Sequence, residues 1–475
     1  MASVSSALAR IKRDFRPFLP DSSILSACAK AGHDWRQRKL GPVETVHLFV
    51  VQVLCFNTAM THLRHLGDAA VKASAYCRAR MRLPLEVLEA LLEESAASMQ
   101  KACASMTQAA GAPAGGLWCG LRAYLVDGSS SIAPDTPDSQ KAFGQPKGCK
   151  EGCGFPVPKV LGLFDASSGL LTRLLTFPLY THEQSKVWMV HCALGVGDLL
   201  VGDRGFCSFV HLAMLFSRGI HGLFRMHQRQ IVDFHPHRKH RTKYARGRKK
   251  EPGGKGPRKG PKKAGKPMPS SRFVRRLGKR DQVVEWFKSA VTRPKWISDE
   301  QWDALPSSVL VRELRFTLAN KGQRTRTVTI ATTLLDPLLY PKEKIAELYG
   351  VRWQAETHFA ELKTTLGMRK VKSKTSQGVL KELAVYALVY NLVHAIMAKA
   401  AARQGVLPER MSFIDTVRWL LSAAEDAPLP DLVINPHRPG RHEPRVVKDL
   451  KDTYTKMVRP RAELRKQLKQ QKDAA

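Results

Sequence analysis

The sequence predicts an α/β protein with a helical region at each end and a basic, strand-containing insertion. Apolar residues recur at helical spacing over residues 1–110, and no strand-like alternation competes there. From about residue 121, short apolar runs closed by Asp, Gly and Ser are typical of buried strands, with a helix candidate between them. Such alternation predicts an α/β core. The chain has 475 residues, 43% of them hydrophobic, which is enough to bury this core and excludes wholesale disorder.

Strand and helix signals continue along the chain. The strand-like runs are RAYLVDGSS (122–130), PKVLGLFDASSGLLTRLLTF (158–177) and GDLLVGDRGF (197–206), and EQSKVWMVHCAL (183–194) is a helix candidate. Two further strands are predicted on either side of Asn320-Lys321-Gly322, a hairpin signal. A long helix is predicted over 343–368. The apolar stretch 383–402 contains Asn391, His394 and Lys399, which favours a buried helix over a membrane span.

The charge of the chain predicts a polyanionic partner. Lys and Arg number 77 against 41 Asp and Glu, a net charge of +36, and nucleic acid is the most plausible partner. Residues 238–280 hold 19 Lys or Arg and a single acid, so this stretch supplies half of that charge. A solvated insert is one interpretation of this stretch. An arm that contacts phosphates is the interpretation we favour.

The cysteines and the N-terminus indicate a reducing, cytoplasmic location. The nine cysteines are odd in number and scattered, unlike a disulfide framework, and the N-terminus has no apolar run of signal-peptide length. Cys149 and Cys153, with histidines 235, 237 and 240, offer metal-ligand types. They lack the paired spacing of a zinc finger, which disfavours a structural zinc site.

Three acids are placed where a metal site is expected. Asp127 ends the strand YLVD, Asp203 follows the strand LLVG, and Glu356 lies on the long predicted helix. Ionised carboxylates near a core are costly unless a cation compensates them. Hard oxygen ligands select Mg²⁺ or Mn²⁺, and two such ions can activate water or a 3′-hydroxyl. Two loop-capping aspartates and a surface glutamate are the alternative interpretation.

The predicted helix around Glu356 carries a distinctive polar pattern. Tyr349, Arg352, Glu356 and Lys363 are spaced so that an ideal helix places all four on one face. A carboxylate flanked by Arg and Lys suits a metal ligand surrounded by phosphate contacts, although a solvent face with salt bridges gives a similar pattern. Arg204 either contacts DNA or pairs with a carboxylate.

These motifs together resemble the DDE transposases of the IS-four insertion-sequence family. The family signature Tyr-x2-Arg-x3-Glu-x6-Lys matches Tyr349, Arg352, Glu356 and Lys363 without a gap. VDGSS followed by PDTPDSQKAF resembles the first acidic block of the family, and GDRGF resembles the second. The similarity runs from about residue 20 to beyond residue 460.

The resemblance implies a fold, a site and partners. It implies an RNase H-like catalytic core in which Asp127, Asp203 and Glu356 bind Mg²⁺, with Mn²⁺ as a substitute. It also implies that Tyr349, Arg352 and Lys363 contact the phosphates of double-stranded DNA, and that a homodimer bridges two transposon ends. The predicted regions are a helical DNA-binding region, the first part of the core, the basic insertion, the second part of the core and a basic C-terminal region: 1–115, 116–225, 226–335, 336–405 and 406–475.

The implied activity is cut-and-paste transposition: binding of terminal inverted repeats, cleavage, and joining of the 3′-hydroxyls to target DNA. Two alternatives stay open. One is an RNase H-like nuclease without strand transfer, and the other is a domesticated DNA-binding protein that has lost catalysis.

Overall fold

The structure is a computed structural model that carries all side chains. The residues it describes are 13, 15–36, 40–65, 72–109, 116–240, 268–289, 293–318, 326–424, 427–436, 457 and 459–473. Most of the basic segment 238–280 and the predicted hairpin turn at Asn320-Lys321-Gly322 lie outside these residues.

Helices and strands alternate through the middle of the chain, and helices occupy both ends. The α-helices are α1 (Asp21–Lys30), α2 (Pro42–Leu54), α3 (Ala73–Arg82), α4 (Leu85–Ala109), α5 (Pro137–Phe143), α6 (Phe209–Phe216), α7 (Asp299–Asp303), α8 (Lys342–Val351), α9 (Gln354–Ala360), α10 (Ser376–Arg403), α11 (Phe413–Ser422) and α12 (Arg461–Asp473). The strands are β1 (Ala123–Ser130), β2 (Lys159–Asp165), β3 (Leu171–Phe177), β4 (Leu199–Gly202), β5 (His221–Arg225), β6 (Arg272–Gly278), β7 (Asp281–Phe287), β8 (Ser308–Leu318) and β9 (Arg326–Thr332). This mixed architecture confirms the predicted fold class.

The long helix α10 is the centre of the first of two compact units, which comprises Met1–Trp118, Leu125–Thr181 and Trp353–Ala475. Helices α2 and α4, helix α11 and strand β3 pack against α10, and the strands of this unit follow the order β3-β2-β1. Helix α10 is long and apolar enough, by length and composition alone, to cross a membrane. However, 94% of its most apolar window is buried inside the protein, as expected of a core helix. The buried helix predicted over 383–402 is therefore confirmed.

The second unit, Cys119–Tyr124 with His182–Arg352, is built on a twisted series of strands. Their order is β4-β5-β9-β8-β7-β6; β4 and β5 are parallel, and the later pairs are antiparallel. The two strands predicted on either side of the hairpin signal are β8 and β9, which pair with Leu318 opposite Arg326. Strand β5 thus pairs directly with β9, a strand of the region predicted as the insertion.

The segment 183–194 differs from its prediction as one α-helix. It forms two 3₁₀ helices, Glu183–Ser185 and Val187–Ala193. Side chains compete for the backbone carbonyls here: Ser185 Oγ donates to the His182 carbonyl, and Trp188 Nε1 donates to the Ser185 carbonyl. Such local bonds disfavour the i to i−4 pattern of an α-helix.

The long helix predicted over 343–368 is also divided. Its hydrogen-bond pattern is interrupted at Arg352 and Trp353, although both residues keep right-handed helical dihedral angles. After α9 the chain forms a π-helical turn over Glu361–Thr365. Turns of this kind change the angular spacing of the side chains, so the four residues of the predicted polar face do not share one regular α-helix.

Two buried histidines of the second unit form a hydrogen-bonded pair. The Nε2 atoms of His191 and His211 are 2.9 Å apart, and His211 Nδ1 lies 2.8 Å from the Phe206 carbonyl. Because a carbonyl only accepts, Nδ1 of neutral His211 carries the proton, and its Nε2 accepts from His191. Burial lowers the pKa of His211 to about 4, and burial together with the neighbouring His211 lowers the pKa of His191 to about 2.

A buried ion pair joins two strands of the same unit. Arg312 on β8 is fully buried and donates from Nε and Nη2 to the two carboxylate oxygens of Asp281 on β7, at 2.9 and 2.6 Å. Its Nη1 donates to the Tyr340 carbonyl at 2.7 Å, just before α8. The guanidinium therefore fixes both strands and the start of the segment that leads into α8.

We expect acid to destabilise the protein through the histidine pair. Both pKa values are lower in the folded protein than in the unfolded chain, so the unfolded chain binds more protons below about pH 6.5. Stability is therefore close to full above pH 7 and falls as the pH drops through 6.5 towards 4, by about 2 kcal/mol for each histidine at pH 5. Urea unfolding of wild type and of the variant His191→Leu/His211→Asn at pH 7 and pH 5 measures this. Equal pH dependence in the two proteins would contradict it.

Substitution of Arg312 should be strongly destabilising. Arg312→Met leaves the Asp281 carboxylate buried without its partner, and we expect the free energy of unfolding to fall by about 3–5 kcal/mol. The double variant Asp281→Leu/Arg312→Met should recover much of that loss. Arg272→Met is the matched control, because Arg272 pairs with Glu285 at the surface and its loss should cost about 1 kcal/mol or less. Similar effects of Arg312→Met and Arg272→Met in chemical denaturation would refute this account.

Candidate active site

Asp127 lies within strand β1, in the first unit, and the strand continues to Ser130 rather than ending at the acid. The residues before it on the strand are buried, whereas Asp127 and the residues after it are half-buried. Its Oδ1 accepts a hydrogen bond from the Gly128 amide at 2.9 Å. The carboxylate thus lies where the strand passes from the core towards solvent.

Lys363 contacts the same strand. Its Nζ donates to Ser129 Oγ at 3.0 Å. The backbone after the π turn pairs with the residues that follow β1: the Ile132 amide donates to the Arg369 carbonyl, and the Val371 amide donates to the Ile132 carbonyl. Burial, and then the nearby charge of Arg369, lower the pKa of Lys363. The structure therefore brings Lys363 to within two residues of Asp127 along β1.

Glu356 is in the first turn of α9 and is exposed. Its neighbours Ala355 and Phe359 are buried and hold the helix against the first unit. The predicted inward positions Leu362 and Leu366 are fully buried as well. The helix therefore presents Glu356 on its solvent side, while an apolar face fixes its orientation.

Asp203 directly follows strand β4 in the second unit, as the sequence predicts, and its carbonyl begins the 3₁₀ helix Arg204–Phe206. Its Oδ1 is buried and has no hydrogen-bond partner among the described residues. The closest cation is Arg225, whose Nη1 lies 4.0 Å away. A buried carboxylate oxygen without a hydrogen bond is costly, and a hard cation would compensate it. The carboxylate of Asp203 is therefore suited to binding a divalent metal ion.

Tyr349 and Arg352 are both buried in the second unit. The Tyr349 ring packs edge-on against Phe316. The Arg352 guanidinium lies over the Tyr349 ring, 5.8 Å from the ring centroid. Burial raises the pKa of Tyr349, which Arg352 lowers in part and the nearby Asp203 raises further. Tyr349 therefore lies within electrostatic reach of Asp203. The predicted contact of Tyr349 and Arg352 with DNA phosphates stays a prediction.

A small cleft beside Asp203 is lined by basic side chains. It has a volume of about 160 Å³, and Arg204, Arg225 and Arg315 line it together with polar residues. Arg204 is exposed, with Nη1 3.5 Å from Gln228 Oε1. No sequence pattern indicates Arg315, because only the pairing of β8 with β9 places it near the end of β5.

A second group of ligand-type side chains lies in the first unit. Donor atoms of His358, Glu361 and His394 all lie within 4.8 Å of one another, the one such group of three in the described part of the chain. Sequence analysis missed it; the signal was a His and a Glu three residues apart, with a His inside an apolar helix. Cys149 and Cys153 belong to no such group among the described residues.

The predicted site residues are divided between the two units. Asp127, Glu356 and Lys363 belong to the first unit, whereas Asp203, Arg204, Tyr349 and Arg352 belong to the second. The convergence of the three acids on shared ions stays a prediction, as do the predicted domain boundaries.

Comparisons with known proteins identify the family. Residues 118–392, more than half of the chain, match the family model described as "Transposase DDE domain". The chain is 25% identical over 351 residues to "Transposase InsG for insertion sequence element IS4" of Escherichia coli (strain K12), an alignment that covers 70% of this chain and 69% of that protein. A piggyBac transposase, solved as a synaptic complex with hairpin DNA, is 10% identical to this chain with a TM-score of 0.40. The superposition covers 86% of this chain and 79% of the piggyBac chain, and at this TM-score the likeness supports no inference. The match to the family model, together with that relative, confirms the resemblance to the IS-four group. The chain belongs to the family of DDE-domain transposases.

Proposed function

We propose that this transposase binds the terminal inverted repeats of an insertion sequence, cleaves the DNA ends and joins the 3′-hydroxyls to target DNA. Two observations support this together: the family match over residues 118–392, and the buried Oδ1 of Asp203 directly after strand β4, which accepts no hydrogen bond within the described residues. A metal-dependent DNA-cleaving centre needs a carboxylate oxygen that can bind a metal ion. An aspartate that only caps a turn would instead be expected to use its oxygens in hydrogen bonds.

Asp127, Asp203 and Glu356 are the proposed ligands of Mg²⁺, with Mn²⁺ as a substitute. When bound, these ions would lower the pKa of a nucleophilic hydroxyl and stabilise the leaving oxygen. All three ligands offer carboxylate oxygens, the donor type that Mg²⁺ prefers. Each of the three residues is half-buried or exposed.

The proposed reaction has two displacements at phosphorus. In the first, a water oxygen bonds to the phosphorus at the transposon end, the bond to the 3′ oxygen breaks, and that oxygen takes a proton to become a free 3′-hydroxyl. In the second, this hydroxyl attacks a target phosphodiester and releases a target 3′-hydroxyl. One phosphoester bond forms for each that breaks in the joining step, so neither a covalent enzyme intermediate nor an external energy source is required.

Several basic side chains are the proposed contacts for double-stranded DNA. Lys363 is partly desolvated beside a second cation, Arg369, so a phosphate would compensate both. Arg204 is exposed at the rim of the arginine-lined cleft. Strand β6, at the edge of its sheet, presents exposed Arg272, Arg275 and Arg276 and continues the basic insertion. Tyr349 and Arg352 would act on DNA either directly or by fixing Asp203.

The proposed assembly is a homodimer that bridges two transposon ends, in the cytoplasm of a prokaryotic cell in association with the nucleoid. The net charge of +36 supports binding to DNA but does not specify the assembly.

A joining assay tests the function directly. It combines the protein with a pre-cleaved end that has a free 3′-hydroxyl, a target plasmid and Mg²⁺. Joined product is the expected result. Cleavage without joining would favour a nuclease, and binding without either would favour a domesticated DNA-binding protein.

Replacing the three acids should abolish cleavage while preserving binding. Asp127→Asn, Asp203→Asn and Glu356→Gln keep the size of each side chain but remove a charged ligand, and we expect each to lower the cleavage rate at least about 100-fold. The measurement is the single-turnover cleavage rate of a labelled end in Mg²⁺, with gel-shift affinity as the second readout. Asp303→Asn and Glu343→Gln are matched controls, because both residues are exposed and outside the proposed site. Full cleavage by any of the three variants would remove that acid from the assignment.

Arg204 should contribute one phosphate contact. Arg204→Ala should weaken binding about equally for specific and non-specific DNA, and reduce the slope of log affinity against log salt by about one. Arg204→Lys keeps the charge and should keep the slope, although its affinity should fall because the bidentate geometry is lost. Fluorescence anisotropy from 50 to 300 mM salt, roughly the range in which such slopes are resolved, measures both. An unchanged slope for Arg204→Ala would place Arg204 outside the DNA interface.

A further inference from the structure

The group of His358, Glu361 and His394 shares no residue with the three acids assigned to catalysis. His358 is on α9, Glu361 opens the π turn, and His394 is on the core helix α10. Both histidines are buried and the glutamate is half-buried. All three belong to the first unit, so their arrangement is fixed by one packed core.

The separations within the group match those of ligands around one ion. Glu361 Oε2 lies 3.2 Å from His394 Nε2 and 3.5 Å from His358 Nδ1. Two ligands at about 2.0–2.1 Å from a tetrahedral Zn²⁺ are about 3.3 Å apart. The third separation, between the two histidines, is within 4.8 Å. A small side-chain adjustment would therefore place all three donors around one ion.

Hydrogen bonding leaves His358 unsatisfied, whereas His394 Nε2 is hydrogen-bonded to Glu361 Oε2. Both ring nitrogens of His358 are buried, and neither makes a hydrogen bond within the described residues. An unsatisfied buried polar atom costs about 1–3 kcal/mol, so an ordinary structural histidine would be expected to find a partner. A metal ion bonded to Nδ1 would satisfy one of the two nitrogens.

The surroundings suit a transition-metal ion. Phe164, Tyr390 and Phe413 form an aromatic wall around the two imidazoles, and Tyr390 donates to the Gly169 carbonyl at 2.8 Å. Gly169 has a φ of +71°, and a Cβ there would lie 2.9 Å from His358 and 3.1 Å from His394. The glycine therefore leaves room for both rings to face the same point.

We propose that His358, Glu361 and His394 bind one Zn²⁺ ion that ties the Glu356-bearing segment to helix α10. Two imidazoles and one carboxylate are a ligand set that zinc accepts, with a water in the fourth position. Mg²⁺ prefers an all-oxygen set, so this ion is distinct from those at the proposed catalytic centre. Glu361 lies five residues after Glu356 and two before Lys363, so the ion would fix the π turn between them.

The test uses the full-length protein, stripped with chelator and then titrated with Zn²⁺ or with Co²⁺ as a spectroscopic probe. We expect one Zn²⁺ per chain to survive gel filtration, a rise in melting temperature, and the visible absorption of four-coordinate Co²⁺. Glu361→Gln and His394→Gln should each weaken binding at least about tenfold, since even an outer-shell change costs that much. His62→Gln is the matched control, because His62 is exposed on the same unit and its imidazole bonds only to Thr58 among the described residues.

The outcomes separate this proposal from its rivals and from the proposed function. Wild type that retains no Zn²⁺ and gives no Co²⁺ absorption would overturn it, whether or not the variants fold. A charge-transfer band of Co²⁺ bound to thiolate would assign the ion to cysteines and overturn it equally. No readout depends on DNA cleavage, so failure of the transposition assay leaves this test unaffected, and the reverse also holds.

Discussion

The second unit depends on one buried guanidinium. Arg312 joins Asp281 on β7 to its own strand β8 and also binds the Tyr340 carbonyl, just before α8. Removing either Asp281 or Arg312 would leave an unpaired charge in the core, so these three segments are held in one arrangement. Helix α8 carries Tyr349, which lies within electrostatic reach of Asp203. The surroundings of a candidate catalytic carboxylate are therefore set by an ion pair that takes no part in the proposed chemistry.

Backbone pairing has the corresponding role in the first unit. The strand-like bridge between Ile132 and Lys370 joins the chain after β1 to the chain after the π turn. Lys363 is thereby carried to Ser129, beside the strand that holds Asp127. The position of the lysine is therefore supported by backbone hydrogen bonds as well as by its own bond to Ser129.

Sequence patterns predicted the elements that follow from local periodicity and turn residues, and missed the features that depend on contacts with residues distant in the chain. Asp203 after its strand, the paired strands β8 and β9 and the buried α10 all follow from local patterns of apolar residues and turns. The interruption at Arg352 and Trp353 has only a weak local signal, Gly350, because an isolated glycine inside a helical pattern is tolerated. The π turn at Glu361 is accompanied by a contact with His394, 33 residues later, and ideal helical periodicity carries no information on such a contact.

Under the proposed function, the contact between Asp203 and Arg225 would couple the binding of a metal ion to the binding of DNA. At 4.0 Å the two groups are too far apart for a hydrogen bond, so the pair holds neither partner firmly. Arg225 also lines the cleft with Arg204 and Arg315, where a phosphate would compete for its guanidinium. A divalent ion that takes over the charge of Asp203 would free Arg225 for that phosphate. By thermodynamic linkage the phosphate would in turn favour the ion, so the metal and the DNA end would assemble the site together.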